Sequence, residues 1–218
     1  MMLTITNENI KVLNLYAGIG GNRKYWKNVN VTAVEHSSQI AEIYKDHNPD
    51  DEVIVGDAHN YLIEHYKEFD FIWASPPCPS HSKIRKMASK KGDYAPIFPD
   101  MTLWQEIIFL EGFFEGKWCV ENVIPYYDPL IKPTIELERH LFWSNFNINK
   151  YSFSKRERKH NSIKATDNLY GFDLSKYDYP DKVKVLRNMV DPEIGLFIME
   201  QANGIIRAEK SIQIDLFK

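Results

Sequence analysis

Cysteine is scarce in this 218-residue chain, with only Cys78 and Cys119. That excludes a disulfide framework and a four-cysteine metal site, so no metal is implied. No apolar run approaches the ~20 residues needed to cross a bilayer. The opening MMLTITNENIKV lacks the basic start and apolar core of a secretory signal, and the expectation is a cytoplasmic protein. Nor is there an excess of positive charge: 27 Lys and Arg against 30 Asp and Glu leave a net charge of −3. A nucleic-acid partner would therefore have to show itself in local clusters of charge. Repeats and biased tracts are missing too, which argues against coiled-coil, collagen-like and disordered readings. What is present, 44% hydrophobic and 13% aromatic residues, suffices for one domain with a substantial core.

Short apolar runs punctuate the first half. Val12–Tyr16 ends in Ala17-Gly18-Ile19-Gly20-Gly21, and the segment from there to Trp26 reads as a helix. Val31–Val34 ends on Glu35, with Ser37 as cap for a helix from Gln39 to His47. Val53–Val55 ends at Gly56-Asp57, and Phe69–Ala74 ends at Ser75-Pro76-Pro77-Cys78. After a polar stretch from His81 to Asp93, a helix is expected over Met101–Phe114. A strand Lys117–Val120 then ends at Glu121-Asn122, and another follows at Leu141–Phe146. Asn147–Tyr179 is polar and aperiodic. Helical spacing returns over Val183–Asn203, broken at Asp191-Pro192, where Pro suits a first helical turn. Alternating short strands and helices predict an α/β fold, a parallel sheet with helices on both faces, whose ligands bind at the carboxyl ends of the strands.

Those ends carry Gly18, Gly20, Gly21, Glu35, Asp57, Pro77 and Cys78. The glycines let backbone approach a ligand closely. Their G-x-G-G spacing is not that of dinucleotide oxidoreductases, and no phosphate-cradling Lys-Ser/Thr follows. Glu35 can accept both ribose hydroxyls of an adenosine cofactor. Asp57 either holds an adenine amino group or caps a helix over His59–His65.

Cys78 lies in the proline-bounded loop Ser75–Ser80, which aims its sulfur as a nucleophile would be aimed. Glu121, following the next apolar strand, should share that sheet edge. Flanked by Cys119-Val120 and Val123-Ile124, it is desolvated, which raises its pKa and lets it donate a proton near neutrality. Cys119 is assigned to the core.

In order, LYAGIGG, Glu35, GDA, SPPC and ENV resemble the S-adenosylmethionine-dependent DNA cytosine-5 methyltransferases. The likeness covers about residues 10–146 and resumes at Leu186–Pro192. It implies a Rossmann-like methyltransferase fold and S-adenosylmethionine as cofactor. Cys78 would be the nucleophile and Glu121 the acid at the base. Tyr16, where the family usually has Phe, would lie against the adenine, with Glu35 on the ribose and Asp57 at the amino group. Gly18, Gly20, Gly21, Pro77 and Asn188 would complete the cofactor site. The substrate implied is DNA, its target cytosine flipped out of the stack, in a restriction–modification setting of a bacterium or phage. A tRNA substrate, an amino-methyltransferase and a non-catalytic cofactor-binding subunit are the rival readings. Cys78 as the fourth residue of the motif that begins at Ser75, with Glu121 downstream, argues against the last two.

The family's next motif has two arginines. This chain has Arg139, assigned to the catalytic set, with His140 in a matching place. The core is expected at 1–146 and 183–206. A small insert at 147–182 replaces the target-reading region, and 207–218 form a tail. Lys83, Arg85 and Lys86, with Ser80 and Ser82, are assigned to DNA, on a loop that ends at Gly92 and closes over the flipped base. Lys155, Arg156, Arg158 and Lys159 add a second basic cluster. In the tail, Gln213, Leu216 and Phe217 resemble the short peptide that docks on bacterial sliding clamps. A strand tucked onto the sheet is the even alternative, because Ile212, Ile214 and Leu216 alternate.

Overall fold

The computed structural model describes residues 9–153 and 170–207. A seven-stranded sheet runs through these residues: β1 (Ile10–Leu15), β2 (Val29–Glu35), β3 (Glu52–Val55), β4 (Phe71–Ala74), β5 (Lys117–Val123), β6 (Ile135–Leu137) and β7 (His140–Ser144). Its spatial order is β3-β2-β1-β4-β5-β7-β6. The first five strands are parallel, while β7 runs antiparallel to both β5 and β6. The architecture is the Rossmann-like α/β fold expected from the sequence.

Helices α1 (Ser38–His47), α2 (Ala58–His65), α3 (Lys83–Lys91), α4 (Thr102–Phe113), α5 (Lys182–Asn188) and α6 (Pro192–Ala202) complete the fold. On one face, α2 and α4 press Leu62, Leu103, Ile107 and Leu110 against Leu13, Leu15, Ile72 and Trp143. On the other, α6 packs Ile194, Phe197 and Ile198 against Val12, Trp73 and Phe142. Covered on both faces, the central β4 reads Phe-Ile-Trp-Ala and is wholly buried.

Local chemistry fixes several helix ends. The side chains of Ser37, Asp57 and Asp191 accept from the backbone N–H of Ile40, Asn60 and Glu193 at the starts of α1, α2 and α6.

Four expectations are corrected. The glycine turn is as expected, with Gly18 and Gly20 at left-handed φ of 55° and 82°, but the helix expected from there to Trp26 is replaced by turns over residues 21–25. The basic stretch after Cys78 is the helix α3 rather than a loop: Ser82 caps it, Gly92 ends it at φ 89°, and straight-chain Lys, Arg and Met fill it. Pairing with β7 extends β5 through Glu121 and Asn122 to Val123. The unforeseen β6 exists by pairing with β7. Within the span read as an insert, Phe172 and Leu174 are buried against Ile19, Ile40, Ile43 and Leu186. Lys155, Arg156, Arg158, Lys159 and the whole Gln213–Phe217 motif lie outside the described residues.

Candidate active site

From β1 the chain first builds outward through β2 to β3, then returns to place β4 and β5 on the other side of β1. Between β1 and β4, therefore, lies the switch point at which open α/β sheets leave a crevice. The turn after β1 and the proline loop after β4 flank it, joined where Ser75 N–H donates to the Leu15 carbonyl at 3.3 Å. The crevice widens into a cavity of about 390 Å³, lined among others by Tyr16, Gly18, Gly21, Glu35, Pro77, Cys78, Glu121, Arg139, His140 and Asn188.

One wall is the glycine turn. Gly18 N–H donates to Glu35 Oε2 at 2.9 Å, and Ser37 N–H donates to Glu35 Oε1 at 2.9 Å. Glu35 is thus held at the cavity edge by two backbone donors, with a lone pair of each oxygen left for a ligand. A Cβ on Gly18 would meet nothing within 4 Å, so the backbone there faces open space. The other two glycines are required by protein packing. A Cβ on Gly20 would lie 2.7 Å from Asn48 Nδ2 and 2.9 Å from Tyr44 Cε2, and one on Gly21 2.1 Å from Met189 Cγ. The latter contact seats the connection between α5 and α6 against the turn and brings Asn188 to the cavity. Gly20 and Asp57 are not among the lining residues, and the Asp57 side chain caps α2.

The opposite wall carries the chemistry. Asn122 Nδ2 donates to the Pro76 carbonyl at 2.9 Å, fastening the proline loop to β5. That places Cys78 and Glu121 on the same cavity. Burial pushes the Glu121 carboxyl up to about 7, against the opposing pull of the Ser75 hydroxyl and of Arg139. Burial, and secondly the Glu121 charge, also push the Cys78 thiol up, while Arg139 and Lys184 draw it down. The site at rest therefore holds a protonated thiol beside a carboxyl poised near neutrality. His140 Nε2 lies 3.5 Å from Glu121 Oε1, and both side chains are buried. Arg139 is exposed and donates from a terminal guanidinium nitrogen to the Arg187 carbonyl at 2.6 Å, bridging the β6–β7 turn to α5. Cys119 is fully buried in the core, as expected.

None of the residues assigned to DNA lines this cavity, and Ser80, Ser82, Arg85 and Lys86 line a separate, smaller one of about 110 Å³. Ser80 is buried and its hydroxyl accepts from Asp100 N–H at 2.9 Å, and Ser82 caps α3. Lys83 begins that helix. Arg85 lies over the Tyr94 ring at 4.9 Å and Lys86 over Tyr126 at 4.4 Å. Sequence reasoning passed over Ser75, Lys184 and the buried Glu106. Ser75 begins the proline loop and was the most findable, while Lys184 lies just before Leu186–Pro192, the segment whose return to the cofactor site the resemblance implied.

A mostly parallel α/β sheet with a glycine turn, an acid held by two backbone donors, and a thiol and a carboxyl lining one cavity at its switch point is a Rossmann-like arrangement. Residues 10–109 match the family model of C-5 cytosine-specific DNA methylases. The matched span holds Tyr16, Gly18, Glu35, Asp57 and Cys78, and Glu121 and Arg139 lie beyond it. No curated protein matches the sequence. Among solved structures, the chain is similar to the Entamoeba histolytica methyltransferase EhMeth, with 21% identity, TM-score 0.37, and 53% of this chain and 38% of that one covered. It is also similar to a SAM-dependent methyltransferase from Agrobacterium tumefaciens, with 15% identity, TM-score 0.38, and coverage of 56% and 41%. The chain thus spans less than half the length of either structure. Among the described residues, no helix is long and apolar enough to cross a membrane.

Proposed function

We propose that this protein is a DNA (cytosine-5-)-methyltransferase that uses S-adenosylmethionine and acts on a cytosine flipped out of the duplex. The observation that carries the reading is the Asn122–Pro76 bond, which seats Cys78 and a carboxyl with a pKa of about 7 on the cavity that also holds Gly18 and Glu35. A cavity of this size lies in the range of small-molecule cofactor sites. The open space at Gly18 and the backbone-held Glu35 carboxylate fit an adenosine group. S-adenosylmethionine, when bound, supplies an electrophilic methyl group. Glu35 would take its ribose hydroxyls, Tyr16 would face its base, and Gly18, Pro77 and Asn188 would close around it. Gly20 and Gly21 would act by holding the turn in shape, and Asp57 by capping α2 behind it.

The remaining chemistry belongs to the side chains. Carbon 5 of cytosine is a poor nucleophile until carbon 6 is attacked. Cys78 gives its proton to solvent water, and its sulfur bonds to carbon 6. The carbon 5–carbon 6 π pair moves to join carbons 4 and 5, and ring nitrogen 3 takes the Glu121 proton. Carbon 5, now enamine-like, takes the methyl group. Solvent water takes the carbon 5 proton, the C–H pair re-forms the carbon 5–carbon 6 double bond and the Cys78 thiolate is expelled, while nitrogen 3 returns its proton to Glu121. A raised Glu121 pKa suits this role, since the acid must arrive protonated near neutral pH. Arg139 steadies Glu121 and the thiolate by charge.

Lys83, Arg85 and Lys86, supported by Ser80 and Ser82, would lie along the phosphate backbone. The Gln213, Leu216 and Phe217 motif is proposed, from sequence alone, to dock on a bacterial sliding clamp. Bisulfite sequencing of DNA from cells expressing the protein tests the main reading. Methylcytosines in a short fixed context support it, and methylation confined to tRNA in the same cells overturns it in favour of the tRNA rival.

A further inference from the structure

Outside the thiol–carboxyl pair, one buried titratable cluster has no part in the chemistry above. Glu106, on α4, is fully buried. Its Oε1 accepts from the Tyr16 hydroxyl and lies 3.1 Å from His59 Nδ1 on α2. Three separate elements, the end of β1, α2 and α4, thus meet at one carboxylate oxygen. Burying a carboxyl in an apolar core is costly unless it is well bonded, and burial pushes Glu106 up. An apolar residue would pack the core at lower cost.

Tyr16 supplies the reason for keeping it. Its backbone is left-handed, at φ 56°, a conformation that costs a non-glycine residue about 1–2 kcal/mol. Glycine would adopt it freely, so the side chain is what the position retains. Tyr16 is half-buried, lines the cavity and directly precedes the glycine turn. Its ring packs against the same core as α2 and α4. Its hydroxyl, a group that Phe would lack, links that ring to Glu106.

We infer that Glu106 is a positioning residue for the cofactor: bonded to the Tyr16 hydroxyl and backed by His59, it fixes the Tyr16 ring as the wall against which the adenine of S-adenosylmethionine lies. The inference rests on the reading of this cavity as the cofactor site. It assigns to Glu106 and His59 no contact with substrate or cofactor. The bond sets the angle of the ring, and its loss allows the ring to rotate and the strained turn to relax.

The test measures S-adenosylmethionine binding by calorimetry, and its KM and kcat in methylation, for the wild type, Tyr16→Phe, Glu106→Gln, Glu106→Ala and the double variant Tyr16→Phe/Glu106→Ala. Loss of one hydrogen bond to a charged or buried partner predicts about 5–20-fold weaker binding for Tyr16→Phe, with the loss falling on KM and not on kcat. Glu106→Gln keeps an acceptor for the hydroxyl and restores binding to within about threefold of wild type. The double variant binds no worse than the weaker single variant, because both remove the same bond. Unchanged affinity in Tyr16→Phe overturns the inference, as does a fall in kcat and melting temperature without a change in KM. Where Glu106→Ala fails to fold, Tyr16→Phe and Glu106→Gln decide alone. A wild type that binds no S-adenosylmethionine overturns the reading of the cavity and this inference with it. A wild type that binds it beside unaltered variants overturns the inference only.

Discussion

Asn122 Nδ2 donates to the carbonyl of Pro76 at 2.9 Å, and its own Oδ1 accepts from Val123 N–H at 3.0 Å. One buried amide therefore fixes the separation between the loop that carries Cys78 and the strand that carries Glu121. Asn122→Ala leaves a buried carbonyl unsatisfied, a cost of about 1–3 kcal/mol. It also frees the proline loop to shift. We expect kcat to fall about 10–100-fold, with S-adenosylmethionine affinity within threefold of wild type. Steady-state kinetics and calorimetry check this, and an unchanged kcat would show that the loop holds its place without the bond.

On the proposed mechanism, Glu121 should make both activity and stability depend on pH. In kcat/KM for DNA, thiolate at Cys78 grows with pH while the Glu121 proton is lost through about pH 7. The product of the two rises about tenfold per unit up to that pH and flattens above it. Glu121→Gln should lower the whole profile by orders of magnitude and let it continue to rise past pH 7. In stability, the folded carboxyl keeps its proton up to about 7, against a usual value of 4.5. The group contributes fully below about pH 4.5, and its contribution of roughly 3 kcal/mol is lost as pH rises through 7. Denaturant titrations at pH 5 and pH 8 should show a smaller difference for Glu121→Gln than for wild type. Equal differences would place Glu121 in a wetter site than the fold gives it.

Glu35→Ala removes the acceptor of two backbone donors and of the proposed ribose hydroxyls. Binding of S-adenosylmethionine should weaken by about 1–3 kcal/mol in calorimetry. Because the same carboxylate orders the glycine turn, Glu35→Gln, which keeps acceptor capacity, should recover part of the loss. Affinity equal to wild type in Glu35→Ala removes the ribose assignment.

The basic helix α3 has no buried residue, so replacing Lys83, Arg85 and Lys86 by Ala should leave the melting temperature within about 2 °C of wild type. Each lost phosphate contact should lower the slope of log affinity against log salt by about 0.9. Fluorescence anisotropy at several salt concentrations measures that slope, and an unaltered slope would take α3 off the DNA path.

The strands and the order of their functional ends were legible because parallel, doubly covered strands are written as short apolar runs that stop at Gly, Glu, Asp or Pro. The pairing of Cys78 with Glu121 was legible for the same reason, since consecutive β4 and β5 are neighbours. The segment after the glycine turn read as helical, yet residues 21–25 form turns, and the close packing of Gly21 on Met189 could be seen only in the fold. Glu106 could not be found from its own segment. The α4 sequence reads as an ordinary apolar helix, and the partner that explains the acid lies 90 residues away at Tyr16.

Covalent capture of Cys78 by its target base tests the central claim most directly. Duplex DNA carrying 5-fluorocytosine, incubated with the protein and S-adenosylmethionine, should give a denaturation-resistant complex, because fluorine cannot leave carbon 5 as a proton does. Peptide mapping should place the adduct on Cys78, and Cys78→Ser should form no complex and show no methylation. Wild-type levels of methylation in Cys78→Ser, or an adduct at any other residue, would contradict the account.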